Sequence, residues 1–241
     1  MTDAMVTGGH AVVDRDEWLE ARRAHMEAEK EFTRRRDELS RERRELPWLE
    51  ITGDYVFDGP GGQESLADLF DGHSQLLVYH FMYGPGWDEG CPSCSFWADN
   101  YDGVGVHLAH RDTALVTISR APLAELEAYR RRMGWGFKWL SSHSNDFNLD
   151  MGVSFTPEQI EGGESLYNFG TQNVWGDEAA GISVFRKADD GRIFLTYQTF
   201  ARGLDMLNGA YHLLDLTSKG RDEDDLAFSM AWLHRHDAYP D

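Results

Sequence analysis

Apolar residues change their spacing several times along this chain, and each change marks an element. Between Asp14 and Leu46, Trp18, His25, Phe32, Leu39 and Leu46 recur every seven residues, with Ala21 and Ala28 between them. Charged residues of both signs fill the other positions, and the stretch contains no glycine. A narrow seam on a polar background predicts a long exposed helix. Arg35 and Glu42 interrupt the seam, which argues against an autonomous coiled coil. Two uses remain open for it: docking on the chain's own body, or a homodimer made through this N-terminal arm. The Arg34-Arg35-Arg36 cluster reads as a solvated face.

Past Pro47 the period shortens. Asp54 to Phe57 predicts a short strand, and Ser65 to Phe70 a short helix capped by Ser65. Gln75 to Tyr83 is apolar, aromatic and β-branched, the pattern of a buried strand, and it stops at the breaker Gly84-Pro85-Gly86. Phe96, Trp97 and Tyr101 are then spaced as helix faces are. Ala114 to Ser119 predicts another strand, and Pro122 opens a helix through Met133. Trp135 to Trp175 has no strong period and reads as a long excursion. Ile182 to Arg186 and Arg192 to Phe200 alternate about Asp189-Asp190-Gly191, a hairpin signal. Gly203 to Leu216 predicts a closing helix. This order, strand and helix alternating before a hairpin and a helix, predicts an α/β fold: a thioredoxin-like central sheet flanked by helices, with a long N-terminal helical arm. The expected organisation is a flexible N-terminus over 1–13, a charged arm over 14–47 and a thioredoxin-like domain over 48–241.

Candidate chemistry sits between the second strand and its helix. Cys91-Pro92-Ser93-Cys94 holds the chain's only two cysteines. A random pair would fall this close roughly one time in a hundred. Pro92 suits the first helical position, where its missing N–H costs nothing. Cys91 is then expected at the helix N-cap, beside unpaired N–H groups and the positive end of the helix dipole. That setting favours the thiolate, the reactive form, with Cys94 placed to resolve a mixed disulfide. Asp88 and Glu89 oppose thiolate formation by like charge unless they point into solvent. Tyr83, Trp87, Pro92 and Trp97 are expected to line the approach to the sulfurs, with ordinary core packing as the alternative for the three aromatics. His80 shares its strand face with Val78 and Met82 and is expected to be buried and hydrogen-bonded.

A metal site is the competing reading. His107 and His110 extend the pair to Cys-x2-Cys-x12-His-x2-His, a donor set suited to zinc or copper. The His-x2-His gap is one residue short of the usual finger spacing, and Asp102-Gly103-Val104-Gly105 stands where a finger helix belongs. A third reading is a non-enzymatic binding module.

Net charge and targeting signals narrow the partners. The chain carries a formal charge of −19, nearly all of it outside the arm, which argues against nucleic acid as a partner. Met1 to Val13 shows neither a basic n-region nor an apolar h-region, and no apolar run approaches membrane-spanning length. A cytoplasmic location follows as the expectation, where a catalytic disulfide is more usual than a structural one.

Several runs resemble the DUF899 family: Tyr79 to Pro85, Cys91 to Asn100, His107 to Asp112 and Ala201 to Tyr211. So do Glu17-Trp18-Leu19 in the arm and Tyr55 to Pro60. The resemblance extends from about Asp14 to about Tyr239. It implies a thioredoxin-like fold and a predicted dithiol–disulfide oxidoreductase, and it implies no known substrate. The cysteine pair itself sets the expectation of a disulfide-containing protein or a small thiol substrate, with no cofactor. Two departures from better-understood relatives stand out. The approach Ala179-Ala180-Gly181-Ile182 lacks the proline that thioredoxins place opposite the CxxC, which implies a different way of binding partner chains. Pro85 precedes Cys91 by six residues and Asp88 stands where a peroxiredoxin has threonine, so a peroxidase of that type is not expected.

Overall fold

The computed structural model describes residues 5–7, 9–163, 167–174 and 176–240. The chain forms two compact units, Met1–Pro47 and Trp48–Asp241. In the first, strands β1 (Met5–Thr7) and β2 (His10–Val12) pair antiparallel within the stretch expected to be flexible. Helix α1 (Arg15–Arg44) follows. Asp14 caps it, its carboxylate accepting from the N–H groups of Asp16 and Glu17 at 2.9 and 3.0 Å. Arg41, Arg43 and Arg44 end it, where cations complement the exposed carbonyls. No residue of α1 is buried, and Trp18, Phe32, Leu39 and Leu46 are all exposed.

The second unit is built on an eight-stranded sheet. Its strands are β3 (Leu49–Ile51), β4 (Val56–Gly59), β5 (Gly62–Ser65), β6 (Gln75–His80), β7 (Thr113–Ser119), β8 (Trp139–Ser141), β9 (Gly181–Lys187) and β10 (Ile193–Phe200). Their order in space is β3-β10-β9-β6-β7-β8-β4-β5. The β6–β7 and β7–β8 pairs are parallel and the others antiparallel. Between β6 and β7 run helices α2 (Pro92–Ala98) and α3 (Gly105–Ala109), the crossover that a parallel pair requires. Helix α4 (Leu123–Met133) links β7 to β8. The architecture is α/β, a thioredoxin-like central sheet flanked by helices. Among the described residues no helix is long and apolar enough to cross a membrane.

Side chains of β6 and of the residues directly after it alternate between two cores, as the period of an extended chain demands. Tyr79, Phe81 and Tyr83 face one cluster with Cys94, Trp97, Tyr129 and Trp139. Leu76 and Val78 face the other with Ile118, Leu140, Phe147 and Phe185. Both faces are covered, which is why β6 and β7 read as nearly unbroken apolar runs. Regular strand geometry ends at His80, earlier than the expected Tyr83. The ladder still continues, because Phe81 N–H donates to Ile118 O and Ala121 N–H to Tyr83 O.

Helix α4 starts after Pro122, as expected, and buries Leu126, Tyr129 and Met133. It ends on Gly134 at φ +68°, a left-handed position that favours glycine. The β9–β10 hairpin turns at Asp189-Asp190-Gly191, with Gly191 at φ +86°. Two expectations need correction. The helix expected over Gly203–Leu216 is split into a 3-10 segment, Ala201–Leu207, and a short helix, Gly209–Leu214. Asn208 causes the break: its side chain accepts from Tyr211 N–H at 3.0 Å, and an asparagine with that partner favours a cap over a helix interior. Ser65–Phe70 likewise resolves into the end of β5 and a single 3-10 turn, Asp68–Phe70. The excursion over 135–175, of which 164–166 and 175 lie outside the described residues, contains β8.

Candidate active site

Strand β6 aims the chain at one end of the sheet, and Tyr83 to Gly90 then loop back so that Cys91 starts α2. The backbone of Met82 bonds both cysteines. Its carbonyl accepts from Cys91 N–H at 3.1 Å, and its N–H donates to the Cys94 sulfur at 3.4 Å. Tyr79 adds a third tie, its hydroxyl donating to the Cys94 carbonyl at 3.1 Å. Cys91 is the N-cap residue and Pro92 the first residue of α2.

The two thiols are unbonded and differ in setting. Cys91 is half-buried, and its sulfur accepts from Cys94 N–H at 3.5 Å. The Cys94 thiol is the strongest influence on it, and with the N–H groups of Cys94 and Ser93 and the charge of Arg235 it outweighs burial. Together they bring the Cys91 thiol down to about 7. Cys94 is only 2 % exposed. Burial, the dominant cause, pushes its thiol well above the ordinary range. The two neighbouring thiols are thus shifted in opposite directions.

Glu89 is partly exposed but paired. Arg132 and Arg235 both hold its carboxylate, the latter at 2.7 Å, so its charge is compensated. Asp88 is exposed. Tyr83 and Trp97 are buried in the cluster that contains Cys94, and the Trp97 indole N–H donates to Leu204 O at 2.9 Å. These two pack beneath the sulfurs. Trp87 is half-buried beside Gly84, where a Cβ would stand 3.0 Å from its indole nitrogen and 3.2 Å from Glu178. Glu178 is itself buried, bonded to Arg120 at 3.1 Å and to Ser154 at 2.8 Å. Burial still prevails there and raises its carboxyl to about 7. His107 and His110 lie exposed in α3 and at its end. Among the described residues no three His, Cys, Asp or Glu side chains form a group able to hold a metal ion, so the histidines and the cysteines are not brought together. His80 is fully buried on the opposite face of β6, with Nε2 bonded to Ser183 Oγ at 2.8 Å, as its strand position predicts.

A family described as "Bacterial protein of unknown function (DUF899)" matches residues 7–239. The chain belongs to the DUF899 family. The comparison with curated proteins found no match. Among solved structures, this DUF899 chain is similar to peroxidoxin BcpB from Mycobacterium tuberculosis, at 13% identity and a TM-score of 0.44, covering 67% of this chain and 94% of that one. It is similar to a PrxQ variant from Xylella fastidiosa at 11% identity and a TM-score of 0.42, covering 70% and 99%. It is also similar to the yeast mitochondrial 1-Cys peroxiredoxin, at 13% identity and a TM-score of 0.44, covering 70% and 78%.

The DUF899 site also includes residues that local sequence patterns do not reveal. Ser95, Tyr129 and Arg235 form a hydrogen-bonded chain against the Cys91 backbone. Arg235 is 145 positions from Gly90, which it contacts. No spacing rule links residues so far apart. The one visible signal was an aromatic and an arginine in an irregular, polar C-terminal stretch.

Proposed function

We propose that this protein is a thiol–disulfide oxidoreductase in which Cys91 attacks and Cys94 resolves. The observation that carries the reading is the asymmetry of the pair: a half-buried sulfur held near neutrality, three residues from a buried thiol held protonated. At pH 7 about half of Cys91 is thiolate, since a group at its pKa is half ionised. The thiolate attacks one sulfur of a substrate disulfide, the substrate S–S bond breaks, and the released thiolate takes a proton from solvent. Cys94 then attacks the Cys91 sulfur of the mixed disulfide. Its proton goes to the second departing thiol. Substrate is reduced by two electrons, and the pair is left as a Cys91–Cys94 disulfide that an external dithiol reduces. The substrate class is a disulfide-containing protein or a small disulfide.

The Met82 backbone supports this reading, because it holds the Cys91 N–H and the Cys94 sulfur in place next to each other. Mass analysis after acid quench tests the proposal. Reduced protein mixed with glutathione disulfide is expected to lose two hydrogens, with no retained adduct. Cys94→Ser should keep a glutathione adduct on Cys91, and Cys91→Ser should keep none. A wild-type protein that remains a dithiol, or one in which stoichiometric zinc or copper shields both thiols from alkylation, overturns the reading.

A further inference from the structure

The C-terminal segment Leu233–Asp237 is not helix or strand, yet it docks beside the cysteine pair at three places. His236 Nδ1 meets the Asp99 carboxylate at the end of α2 at 2.8 Å. Asp237 pairs with Arg132 of α4 at 2.7 Å. Between them, Arg235 uses three faces of its guanidinium. Nη2 donates to Gly90 O at 2.7 Å, Nε donates to the Tyr129 hydroxyl at 2.8 Å, and Nη1 pairs with Glu89 at 2.7 Å. A planar fork of N–H donors suits three fixed partners, and a lysine ammonium cannot span them.

The Tyr129 contact leads back to Cys91. Ser95 Oγ donates to Cys91 O at 2.9 Å, so its single hydrogen is committed. Tyr129, 2.9 Å from Ser95 Oγ, must then donate to Ser95, which leaves the Tyr129 oxygen free to accept from Arg235. The relay runs one way, Arg235 to Tyr129 to Ser95 to the Cys91 carbonyl. Ser95 is fully buried and Tyr129 is 5 % exposed, so water does not compete for these bonds. Gly90 completes the arrangement. A Cβ there would stand 2.7 Å from the Phe81 ring, so only glycine lets this peptide lie close enough to present its carbonyl to Arg235.

We propose that Arg235 is the positioning residue of the cysteine pair, gripping the Gly90 carbonyl directly and the Cys91 carbonyl through Tyr129 and Ser95. The proposal rests on the oxidoreductase reading. Arg235 thereby fixes the backbone on both sides of the attacking sulfur, and its cation favours the thiolate. The charged groups around it are Glu89 in the loop, Arg132 on α4, and Asp237 and His236 in the tail. Asp99, the residue after α2, and exposed Asp88 lie on the neighbouring segments. Arg235 and Arg132 are the two arginines among these groups, set against four carboxylates, so loss of Arg235 leaves more negative charge near Cys91.

The test is the pH dependence of Cys91 alkylation by iodoacetamide in the reduced full-length protein, resolved from Cys94 by fragment masses. Arg235→Ala is expected to raise the midpoint by about one pH unit and to slow alkylation at pH 7 about fivefold, as a unit shift in thiolate fraction requires. Arg235→Lys should recover part of the shift through charge alone. Tyr129→Phe, which keeps the cation and cuts the relay, should move the midpoint the same way by a smaller amount. A folded Arg235→Ala protein with the wild-type profile overturns the proposal. If that variant does not fold, an unchanged profile in Tyr129→Phe overturns it. A wild-type Cys91 that titrates as an ordinary thiol, about 8.5, overturns the oxidoreductase reading itself.

Discussion

The backbone N–H of Met82 donates to the sulfur of Cys94 at 3.4 Å, while the Met82 carbonyl accepts from Cys91 at 3.1 Å. The backbone of one residue just past β6 therefore ties down both cysteines, whatever side chain residue 82 carries. The bond to Cys94 favours its thiolate, but burial acts more strongly and keeps the proton on. A protonated Cys94 is in turn the donor that does most to lower Cys91. The two settings are one arrangement.

Removing that donor should be visible directly. In Cys94→Ala the ultraviolet thiolate absorbance of Cys91 is expected to titrate about one pH unit higher than in wild type, because a hydrogen bond to the charged form is lost. An unchanged midpoint would show that the N–H groups and Arg235 alone set the Cys91 thiol.

Glu89 offers a shift of the opposite sign. Its carboxylate is shared by Arg132 and Arg235. Glu89→Gln leaves Arg235 without its carboxylate partner near Cys91, while Arg132 keeps Asp237. The alkylation midpoint should fall below about 7 by roughly half a unit, and reaction at pH 6 should quicken two- to threefold. A midpoint that rises instead would mean that Glu89 acts by placing Arg235 rather than by its charge.

His80 predicts the acid limit of the fold. Burial depresses its imidazole to about 3, against about 6.5 in an unfolded chain. The unfolded chain takes up this proton first, so the stabilisation is complete above pH 6.5 and is lost as pH falls towards 3. Between pH 6.5 and 4.5 the loss is about 2.5 kcal/mol. His80→Gln does not titrate and can still reach Ser183. Urea midpoints at the two pH values should therefore differ less for His80→Gln than for wild type. Equal pH dependence in the two proteins would assign the acid sensitivity to other groups.

Trp97 separates packing from reactivity. Its indole N–H satisfies Leu204 O inside the core. Trp97→Phe leaves that carbonyl unpaired and removes ring volume, at a cost of about 2–4 kcal/mol. Urea unfolding should register the loss, while Cys91 alkylation per folded molecule stays at the wild-type rate. A large change in alkylation with little loss of stability would instead place Trp97 at the sulfurs' approach.

Chain-local patterns reached the arm, the strand before the cysteines, the Pro122 helix and the hairpin about Gly191, because each is specified by neighbours within a few residues. The place of Cys91 at the start of α2 was legible for the same reason: proline, cap and breaker all lie within one turn or loop. The buried state of His80 followed from its parity on β6. Strand β8 was not legible. Trp139-Leu140-Ser141 is too short to show a period, and it is a strand only because β7 lies alongside it. Similarly, Asn208 reads as one more polar position until its side chain claims the Tyr211 N–H.

By itself, the sequence determined that this chain has one cysteine pair, carried on a strand–loop–helix unit, because that unit is specified by near neighbours along the chain. Tertiary structure alone decided which charges reach the pair. Whether Glu89 meets two arginines, whether His107 and His110 approach the sulfurs, and which distant residue grips Gly90 all depend on how separate segments pack. Electrostatic interaction falls off over a few ångströms of space, and separation along the chain does not measure that distance.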